Sequence, residues 1–305
     1  MVAICDPFRC RHSNNHNNEV RGVPQAVYTA AMPVRVVVGN IPEWIDCERL
    51  LGPGFSETAT EAGWKRAHAS LERPAAADVQ ARLRGVGIGG RALEVVVSPS
   101  LNRKLVRAAR TEDARRRRHG SVGFARAGVQ LDKEGQISLT PEALALELGK
   151  RAGACTVIDA CCGAGGNAIG FARAGCEVIA LEMDRARLDM AAHNARAYGV
   201  ADRIAWRCVD TTKTLPSLSA ELLFIDPPWG EDYDRTRVRL ADMPFLQELL
   251  REVERFPRTW IKVPPSFDVS DMPDARPEAF FGTGEGDRQR VKFVLLERTT
   301  DSSPK

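Results

Sequence analysis

Long apolar runs are missing from this sequence: no stretch of about 18 consecutive apolar residues, the length of a membrane-spanning helix, occurs. The first thirty residues also lack the apolar core of a signal peptide. The eight cysteines do not show the regular spacing of a small disulfide scaffold. These absences argue against membrane and secreted disulfide-rich proteins. We expect a folded intracellular protein, of nucleus or cytoplasm, with reduced thiols.

Net charge is also small, +3 over 305 residues, and alone does not indicate nucleic-acid binding. The charge is unevenly distributed, however, because residues 103–118 contain eight Lys or Arg and only two acidic residues. Such a run can follow a phosphate backbone, with Arg115 and Arg116 as candidate substrate contacts. It can equally form a solvated helix face, and both interpretations stay open.

A cluster of possible metal ligands lies near the start of the chain, at Cys5, Cys10, His12 and His16. The gap between the Cys pair and the His pair is far shorter than in zinc fingers. Residues 13–18 are almost entirely Asn and His, which fits a solvated segment. We therefore expect residues 1–33 to be a disordered leader, and we expect no metal site.

Three segments follow this leader: a small module at residues 34–99, a basic linker at 100–127 and a larger α/β domain at 128–300. In the small module, hydrophobic periodicity predicts the order βαββαβ, a four-stranded sheet backed by two helices. The first strand is rich in β-branched residues from Val34 to Asn40, and another strand covers 64–71.

That order resembles an RNA-recognition motif, since residues 36–41 are similar to the first-strand signature of that family. The resemblance implies base contacts by Arg66 and His68, which occupy two stacking positions, whereas Val37 stands where an aromatic residue is usual. Arg and His stack on bases more weakly than Phe or Tyr. The alternative is a ferredoxin-like module used for packing or dimerisation.

In the larger domain, short apolar strands alternate with helices, which predicts a doubly wound, mostly parallel, Rossmann-like sheet. A buried strand at 156–160 runs into the glycine-rich turn at 161–166, and later strands end on Glu182, Asp210 and Asp226. Ligands of such sheets bind at the carboxyl ends of the strands. We therefore expect the acidic residues to line a site, with Asp159 and Glu182 at exposed strand ends.

A strand, a glycine-rich loop and a helix, in the order seen at residues 159–167, form the usual context of a nucleotide-type cofactor loop. Glu182 suits the ribose hydroxyls and Asp210 the adenine amine. A nicotinamide-binding domain would share this topology, but its glycines follow the spacing G-x-G-x-x-G. Here Gly163, Gly165 and Gly166 do not. Asp159 suits a cationic ligand such as S-adenosylmethionine better than a pyrophosphate.

The four residues Asp226, Pro227, Pro228 and Trp229 form the candidate catalytic motif. The two prolines fix a turn at the end of a strand, so that Asp226 and the Pro227 carbonyl point at one place. Such acceptors can hold an aromatic amine and stabilise the positive charge that develops on its nitrogen during methyl transfer. Trp229 can stack on the base.

Taken together, these blocks resemble the RNA cap guanine-N2 methyltransferases, the trimethylguanosine synthase family. The similarity covers roughly residues 124–235 and lies in segments 128–135, 138–142, 159–167, 194–204 and 227–230. It implies a class I methyltransferase fold, S-adenosylmethionine as cofactor and stacking of the guanine cap on Trp229. The residues expected to bind the cofactor are Thr140, Asp159, Cys161, Gly163, Gly165, Asn167, Glu182, Asp184 and Asp210.

Two departures from the family bear on the substrate. Asp226 replaces the Ser of animal members, and Gln136 and Ile137 stand where aromatic residues usually help to close the site. We expect methylation of the guanine N2 amine in capped RNA. The alternatives are guanine-N2 or adenine-N6 methylation of ribosomal or transfer RNA and, from another class, a non-catalytic RNA-binding protein.

Overall fold

The chain is built around two β-sheets, as seen in a computed structural model that describes residues 32–230 and 232–300. Nearly all of the predicted leader lies outside these residues, as do the Cys and His residues considered as metal ligands. Within the described ranges, none of the helices combines the length and apolar character needed to cross a membrane.

The smaller sheet has the predicted βαββαβ order with a short hairpin added. Its elements are β1 (Val34–Pro42), α1 (Cys47–Leu51), β2 (Ser56–Glu61), β3 (Trp64–Leu71), α2 (Arg73–Leu83), the hairpin strands β4 (Gly87–Ile88) and β5 (Arg91–Ala92), and β6 (Glu94–Ser98). The strands are antiparallel in the order β2-β3-β1-β6. The likeness to an RNA-recognition motif stays a prediction.

Alternation of buried and accessible side chains explains how this sheet packs. Val34, Val36 and Val38 of β1 are fully buried among the hydrophobic residues of the small module, as are residues of α1 and α2. The intervening Val37 is paired with His68 of β3 on the other face of the sheet. One face is therefore covered by core residues, and the other carries Arg66 and His68.

The basic segment does not form a simple linker, because residues 103–116 form a helix, α3 (Arg103–Arg116), that packs against α2. The side chain of Asn102 caps this helix by accepting a hydrogen bond from the Leu105 backbone N–H at 2.8 Å. Asp113 is buried on its inner face. The segment is thus an integral part of the fold.

The larger sheet contains seven strands in the order β12-β13-β11-β10-β7-β8-β9. They are β7 (Thr156–Asp159), β8 (Glu177–Glu182), β9 (Ile204–Cys208), β10 (Leu222–Ile225), β11 (Arg258–Val263), β12 (Arg276–Phe281) and β13 (Val291–Thr299). The pairs from β9 to β11 are parallel, and β13 runs antiparallel to both of its neighbours. The predicted doubly wound, mostly parallel fold is confirmed.

Helices and a buried central strand complete this domain. The helices are α4 (Lys133–Ser138), α5 (Glu142–Ala152), α6 (Gly166–Arg173), α7 (Arg185–Tyr198), α8 (Thr211–Thr214) and α9 (Pro244–Leu249). All four residues of β10 are fully buried, and they divide between two hydrophobic clusters on opposite faces of the sheet. Burial on both faces explains why β10 is a continuous apolar run.

The β4–β5 hairpin joins the small module to two segments of the larger domain, the loop after the Pro-Pro-Trp turn and the segment after β11. Gly87 donates its backbone N–H to the Arg235 carbonyl at 2.8 Å, and Gly89 donates to the Pro265 carbonyl at 2.9 Å. A Cβ atom added at Gly87 would lie only 2.1 Å from the Thr236 carbonyl oxygen. Only glycine allows this close backbone approach.

A group of buried charges strengthens the same connection. Arg82, of α2, is 5% exposed and donates to the backbone carbonyls of Leu50 and Gln289. Arg290 lies beside Gln289 and forms an ion pair with Asp113 of α3. Burial is the main cause that lowers the pKa of Arg82 to about 10. Residues of α2, α3 and the segment just before β13 are therefore held together as one unit.

We predict that Gly87→Ala destabilises the protein by about 1–3 kcal/mol, because the added methyl group overlaps the backbone at Thr236. Urea unfolding would measure the free energy, and hydrogen exchange would report opening of residues 232–238. Gly39→Ala is a suitable control, since its nearest contact would be an ordinary 3.5 Å from a Glu94 oxygen. Equal stability of the two variants would contradict the docking role of the hairpin.

Candidate active site

The carboxyl ends of neighbouring strands bring three predicted acidic residues to one edge of the large sheet. Asp159 ends β7, Glu182 ends β8, and Asp226 directly follows β10. The register pairs Asp159 with Phe224, two residues before Asp226. Because these strands are parallel neighbours in the sheet, their ends open onto one site, as predicted.

The glycine-rich loop has the backbone shape that the sequence requires. Gly163 and Gly165 have φ angles of 52° and 90°, in the left-handed region that favours glycine. A Cβ at Gly165 would come within 3.0 Å of the Ala191 side chain, whereas one at Gly163 would meet nothing within 4 Å. The loop is therefore packed against α7 on one side and leaves open space at Gly163, where a ligand can approach.

Glu182 fixes the shape of this loop from the neighbouring strand. One carboxylate oxygen accepts the Gly163 N–H at 3.0 Å and the other accepts the Asp184 N–H at 2.9 Å. Asp184 itself caps α7 by accepting from the N–H groups of Ala186 and Arg187. Glu182 thus lies beside the loop opening, and its role as a ribose acceptor stays a prediction.

Asp210, the predicted adenine contact, has a local structural role as well. It caps α8 by accepting from the Thr212 backbone N–H, and it forms an ion pair with Lys213 at 2.9 Å. These contacts lower the pKa of Asp210, with the Lys213 hydrogen bond as the largest cause. A carboxylate can accept further hydrogen bonds, so its cofactor role stays a prediction.

Asn194 is a positioning residue that the sequence did not single out. Its fully buried amide accepts the Gln130 N–H at 2.7 Å and donates to the carbonyls of Gln130 and Ala164 at 2.9 and 3.0 Å. Arg187 of the same helix pairs with Asp132 and Glu134. Segment 128–141 is therefore fastened to the glycine-rich loop.

Asp159 is not at an exposed strand end as predicted, because its side chain is completely buried. Neither carboxylate oxygen has a well-formed hydrogen bond. Burial and, next, the charge of Asp226 raise the pKa of Asp159 from 3.8 to about 7, and the backbone amides of Cys161 and Ala168 and the charge of Lys262 only partly oppose this shift. Burial and these carboxylates also raise the pKa of the Cys161 thiol.

Two further buried polar atoms lack hydrogen-bond partners. They are the Thr140 hydroxyl oxygen and the Asn167 amide oxygen. Both belong to the predicted cofactor-binding residues, and together with the two oxygens of Asp159 they form a set of hydrogen-bond acceptors. Such a set fits a ligand that carries a cationic ammonium group, as S-adenosylmethionine does.

Asp226 is held by a buried lysine that the sequence analysis missed. Its Oδ2 accepts from Lys262 Nζ at 2.6 Å and from the Asn167 amide at 2.9 Å. Lys262 lies on β11 and is only 3% exposed. The side-chain hydrogen bonds found among the described residues all go to Oδ2, so Oδ1 is the oxygen that can receive an acceptor amine.

Trp229 lies next to the same lysine. Lys262 Nζ is 5.2 Å from the indole ring centroid, and the indole N–H points at the Lys262 carbonyl at 3.4 Å. Tyr233 packs edge-on against the ring, with centroids 5.8 Å apart. Trp229 is half-buried, and these contacts hold its ring beside Asp226.

The predicted RNA-contacting residues lie elsewhere in the fold. Arg66 and His68 share the uncovered face of the small sheet, and Arg115 and Arg116 lie at the end of α3. Arg116 forms an ion pair with Asp78, so its guanidinium is already engaged. The structure therefore brings Asp159, Glu182 and Asp226 to one edge of the large sheet and leaves the four predicted RNA contacts outside it.

Comparison with known proteins places this site in context. A family model described as RNA cap guanine-N2 methyltransferase matches residues 154–244. Trimethylguanosine synthase of Schizosaccharomyces pombe is 36% identical over 113 residues, 34% of this chain and 47% of that protein. The Saccharomyces cerevisiae protein of the same name is 32% identical over 114 residues, 34% of this chain and 36% of that protein. The chain thus spans less than half the length of these relatives.

Among solved structures, the human methyltransferase 10 domain containing protein is 13% identical with a TM-score of 0.43, over 56% of this chain and 89% of that chain. The family match confirms the predicted resemblance to RNA cap guanine-N2 methyltransferases and the predicted cofactor, S-adenosylmethionine. It also supports the expected enzyme class. The matched residues include the glycine-rich loop and the Pro-Pro-Trp turn, whereas the small module and α3 lie outside them.

We predict that the stability of Asp159→Asn relative to the parent protein depends on pH. Because folding raises the pKa of Asp159, its contribution to stability is fully present below pH 3.8 and is lost as the pH rises through about 7. At pH 8 the variant, which buries no charge there, should be more stable by about 1–3 kcal/mol. The difference should shrink at pH 5.

Urea unfolding at both pH values measures this difference, and Asp202→Asn, at an exposed position, provides the control. The same Asp159→Asn variant should bind S-adenosylmethionine more weakly by calorimetric titration. A stability difference that stayed constant from pH 5 to pH 8 would show that the carboxyl group does not titrate in this range.

We predict that Lys262→Met destabilises the protein by about 3 kcal/mol, because it leaves the Asp226 carboxylate without its buried cation. The double variant Lys262→Met/Asp226→Asn should regain part of this loss, since neither charge then remains. Chemical denaturation of the two single variants and the double variant forms a double-mutant cycle. Additive losses would mean that the two side chains do not interact.

Proposed function

We propose that this protein is an S-adenosylmethionine-dependent RNA methyltransferase that transfers a methyl group to the exocyclic N2 amine of guanine in a 7-methylguanosine cap. The observation that carries this proposal is the Asp226–Trp229 turn, which follows β10 beside the glycine-rich loop of β7. An amine acceptor, a ring-stacking side chain and a cofactor loop therefore meet at one edge of the sheet. The named relatives, trimethylguanosine synthases, agree with this substrate class.

The cofactor would be held by the polar groups around the glycine-rich loop. Asp159 and the Thr140 and Asn167 oxygens suit its amino-acid ammonium group, and Glu182 suits the ribose hydroxyls. Open space at Gly163 allows the backbone to approach the ligand closely. When bound, S-adenosylmethionine supplies an activated methyl group on a cationic sulfur.

The acceptor amine would be held by Asp226 Oδ1 and the Pro227 carbonyl. Methylation would make the amine nitrogen positive until it releases a proton to water. Oxygens fixed around the nitrogen stabilise that charge, and the two prolines keep them in place without reorganisation. Asp226→Ala should therefore lower kcat more than it changes substrate affinity.

Lys262 affects the electrostatic argument that the site prefers a cationic cap base over a neutral base. Its ammonium group offsets the charge of Asp226 and also lies near one side of the Trp229 ring. The preference for a cationic base then depends on stacking against Trp229, since the net charge of the Asp226–Lys262 pair is zero. The same observation favours the second candidate, an internal guanine or adenine of ribosomal or transfer RNA, which needs only the amine pocket.

We predict that the protein transfers labelled methyl groups from S-adenosylmethionine to 7-methylguanosine-capped RNA. The test incubates it with capped, uncapped, ribosomal and transfer RNAs and identifies the modified nucleoside. Trp229→Ala should weaken binding of the capped RNA by about 1–3 kcal/mol, and Trp229→Phe should recover part of that loss. The penalty should be larger for the methylated cap than for the unmethylated cap, since a cationic ring stacks more strongly on indole.

Each outcome distinguishes between the candidates. Methyl transfer to none of the RNAs would leave a non-catalytic RNA-binding protein as the interpretation. Equal Trp229→Ala penalties on the two caps, together with modified internal guanine or adenine, would favour the second candidate.

A further inference from the structure

A groove of about 630 Å³ lies in the small module, between α2, β6 and α3. Its floor is apolar and is formed by Leu93, Val95, Val97, Leu101 and Val106. None of these residues belongs to the active site or to the segment matched by the family model. The volume falls in the range of about 300–1,000 Å³ that is common for ligand-binding clefts.

Four arginines line the rim of this groove: Arg84, Arg103, Arg107 and Arg110. No acidic residue lines it. Among residues 32–230 and 232–300, none of these four guanidinium groups forms an ion pair. The next arginines along the chain differ, since Arg115, Arg116 and Arg117 pair with Glu112, Asp78 and Asp113.

The free charges occupy two walls of the groove. Arg103, Arg107 and Arg110 are spaced by four and three residues, which places them on one face of α3. Arg84 directly follows α2 and stands on the other wall. A ligand in the groove would therefore meet positive charge from two sides and an apolar surface underneath.

We propose that this groove binds a single-stranded segment of the RNA substrate, with its phosphates on the four guanidinium groups and a base against the apolar floor. This inference rests on the proposed RNA methyltransferase function. Planar guanidinium groups bind phosphates through paired hydrogen bonds and stack on bases. An apolar floor with a rim of free arginines matches the alternation of base and phosphate along a single strand.

This assignment differs from the contacts expected from the sequence. The groove lies on the helix-covered side of the small sheet, because Val95 and Val97 of β6 pack towards the core of the module. Arg66 and His68 lie on the opposite face. The RNA would thus contact the first half of α3 rather than Arg115 and Arg116 at its end.

The test compares two variants with the same change in net charge. The groove variant, Arg103→Gln/Arg107→Gln, removes two positive charges from the groove. The control variant, Arg196→Gln/Arg251→Gln, removes two positive charges from exposed positions of the larger domain. Fluorescence anisotropy with a labelled, uncapped single-stranded RNA measures affinity. We expect roughly tenfold weaker binding for the groove variant and a salt slope lower by about 1.4, since each phosphate contact contributes about 0.7. The control variant should match the parent protein.

Two competitors test the chemistry of the ligand. Inorganic polyphosphate carries the charge without bases and should displace the RNA less well than unlabelled RNA does. A poly-glutamate peptide should also compete poorly. Equal competition by polyphosphate would overturn the role of the apolar floor, and strong competition by the peptide would make the groove a site for acidic proteins.

Turnover on a methylated cap dinucleotide separates this inference from the proposed function. No groove residue belongs to the active site, so both charge variants should keep the parent kcat on this small substrate. Absent turnover in every protein, with RNA binding still reduced by the groove variant, would defeat the proposed function and leave the groove site standing. Normal turnover with unchanged RNA binding would defeat the groove site alone.

Discussion

Two carboxylates, Asp159 and Asp226, lie at neighbouring strand ends with only one buried cation, Lys262, near them among the described residues. The charges of the site therefore do not cancel, and its arrangement depends on this excess of negative charge. Lys262 contacts Asp226, whereas the completely buried Asp159 has no well-formed hydrogen bond to its carboxylate oxygens. Burial and, next, the charge of Asp226 oppose ionisation of Asp159 and raise its pKa to about 7. A cationic ligand beside Asp159 would relieve this cost. The open space at Gly163 lies in the loop that follows Asp159, so a cationic ligand could approach the backbone there.

Lys262 links the two halves of this site. It contacts the carboxylate that would hold the acceptor amine, and its ammonium group is close to the ring that would stack on the base. Its partner Asp226 also accepts a hydrogen bond from the side-chain amide of Asn167, at the start of α6 beside the glycine-rich loop. A change in the charge or position of Lys262 would therefore alter the surroundings of Asp226, Asn167 and Trp229 together.

The sequence predicted the strand ends well because each is a short apolar run closed by an acidic residue, as at Asp159, Glu182 and Asp226. It did not predict Lys262, because a lysine within an apolar strand has no local pattern and its partner lies 36 residues away. The prediction that Asp159 is exposed was wrong, because a position at the end of a strand does not show which other residues cover the side chain. The basic segment was predicted as a linker because it is dominated by charged residues. Its sequence gives no apolar pattern that would indicate a buried helix face, and Asp113, a charged residue, lies on that face.

The contact between Gly87 and Thr236 joins parts of the chain that are far apart in sequence. The small module is completed early in synthesis, well before residues 232–238 leave the ribosome. The loop beyond the Pro-Pro-Trp turn can therefore take its final shape only after both sheets have formed and met. Since contacts of such long sequence separation form slowly, residues 232–238 should reach their final conformation late in folding. A large α/β domain produced without its small module would lack the hairpin contacts at Arg235 and Thr236, whereas its glycine-rich loop would keep its own contacts with Glu182 and Ala191.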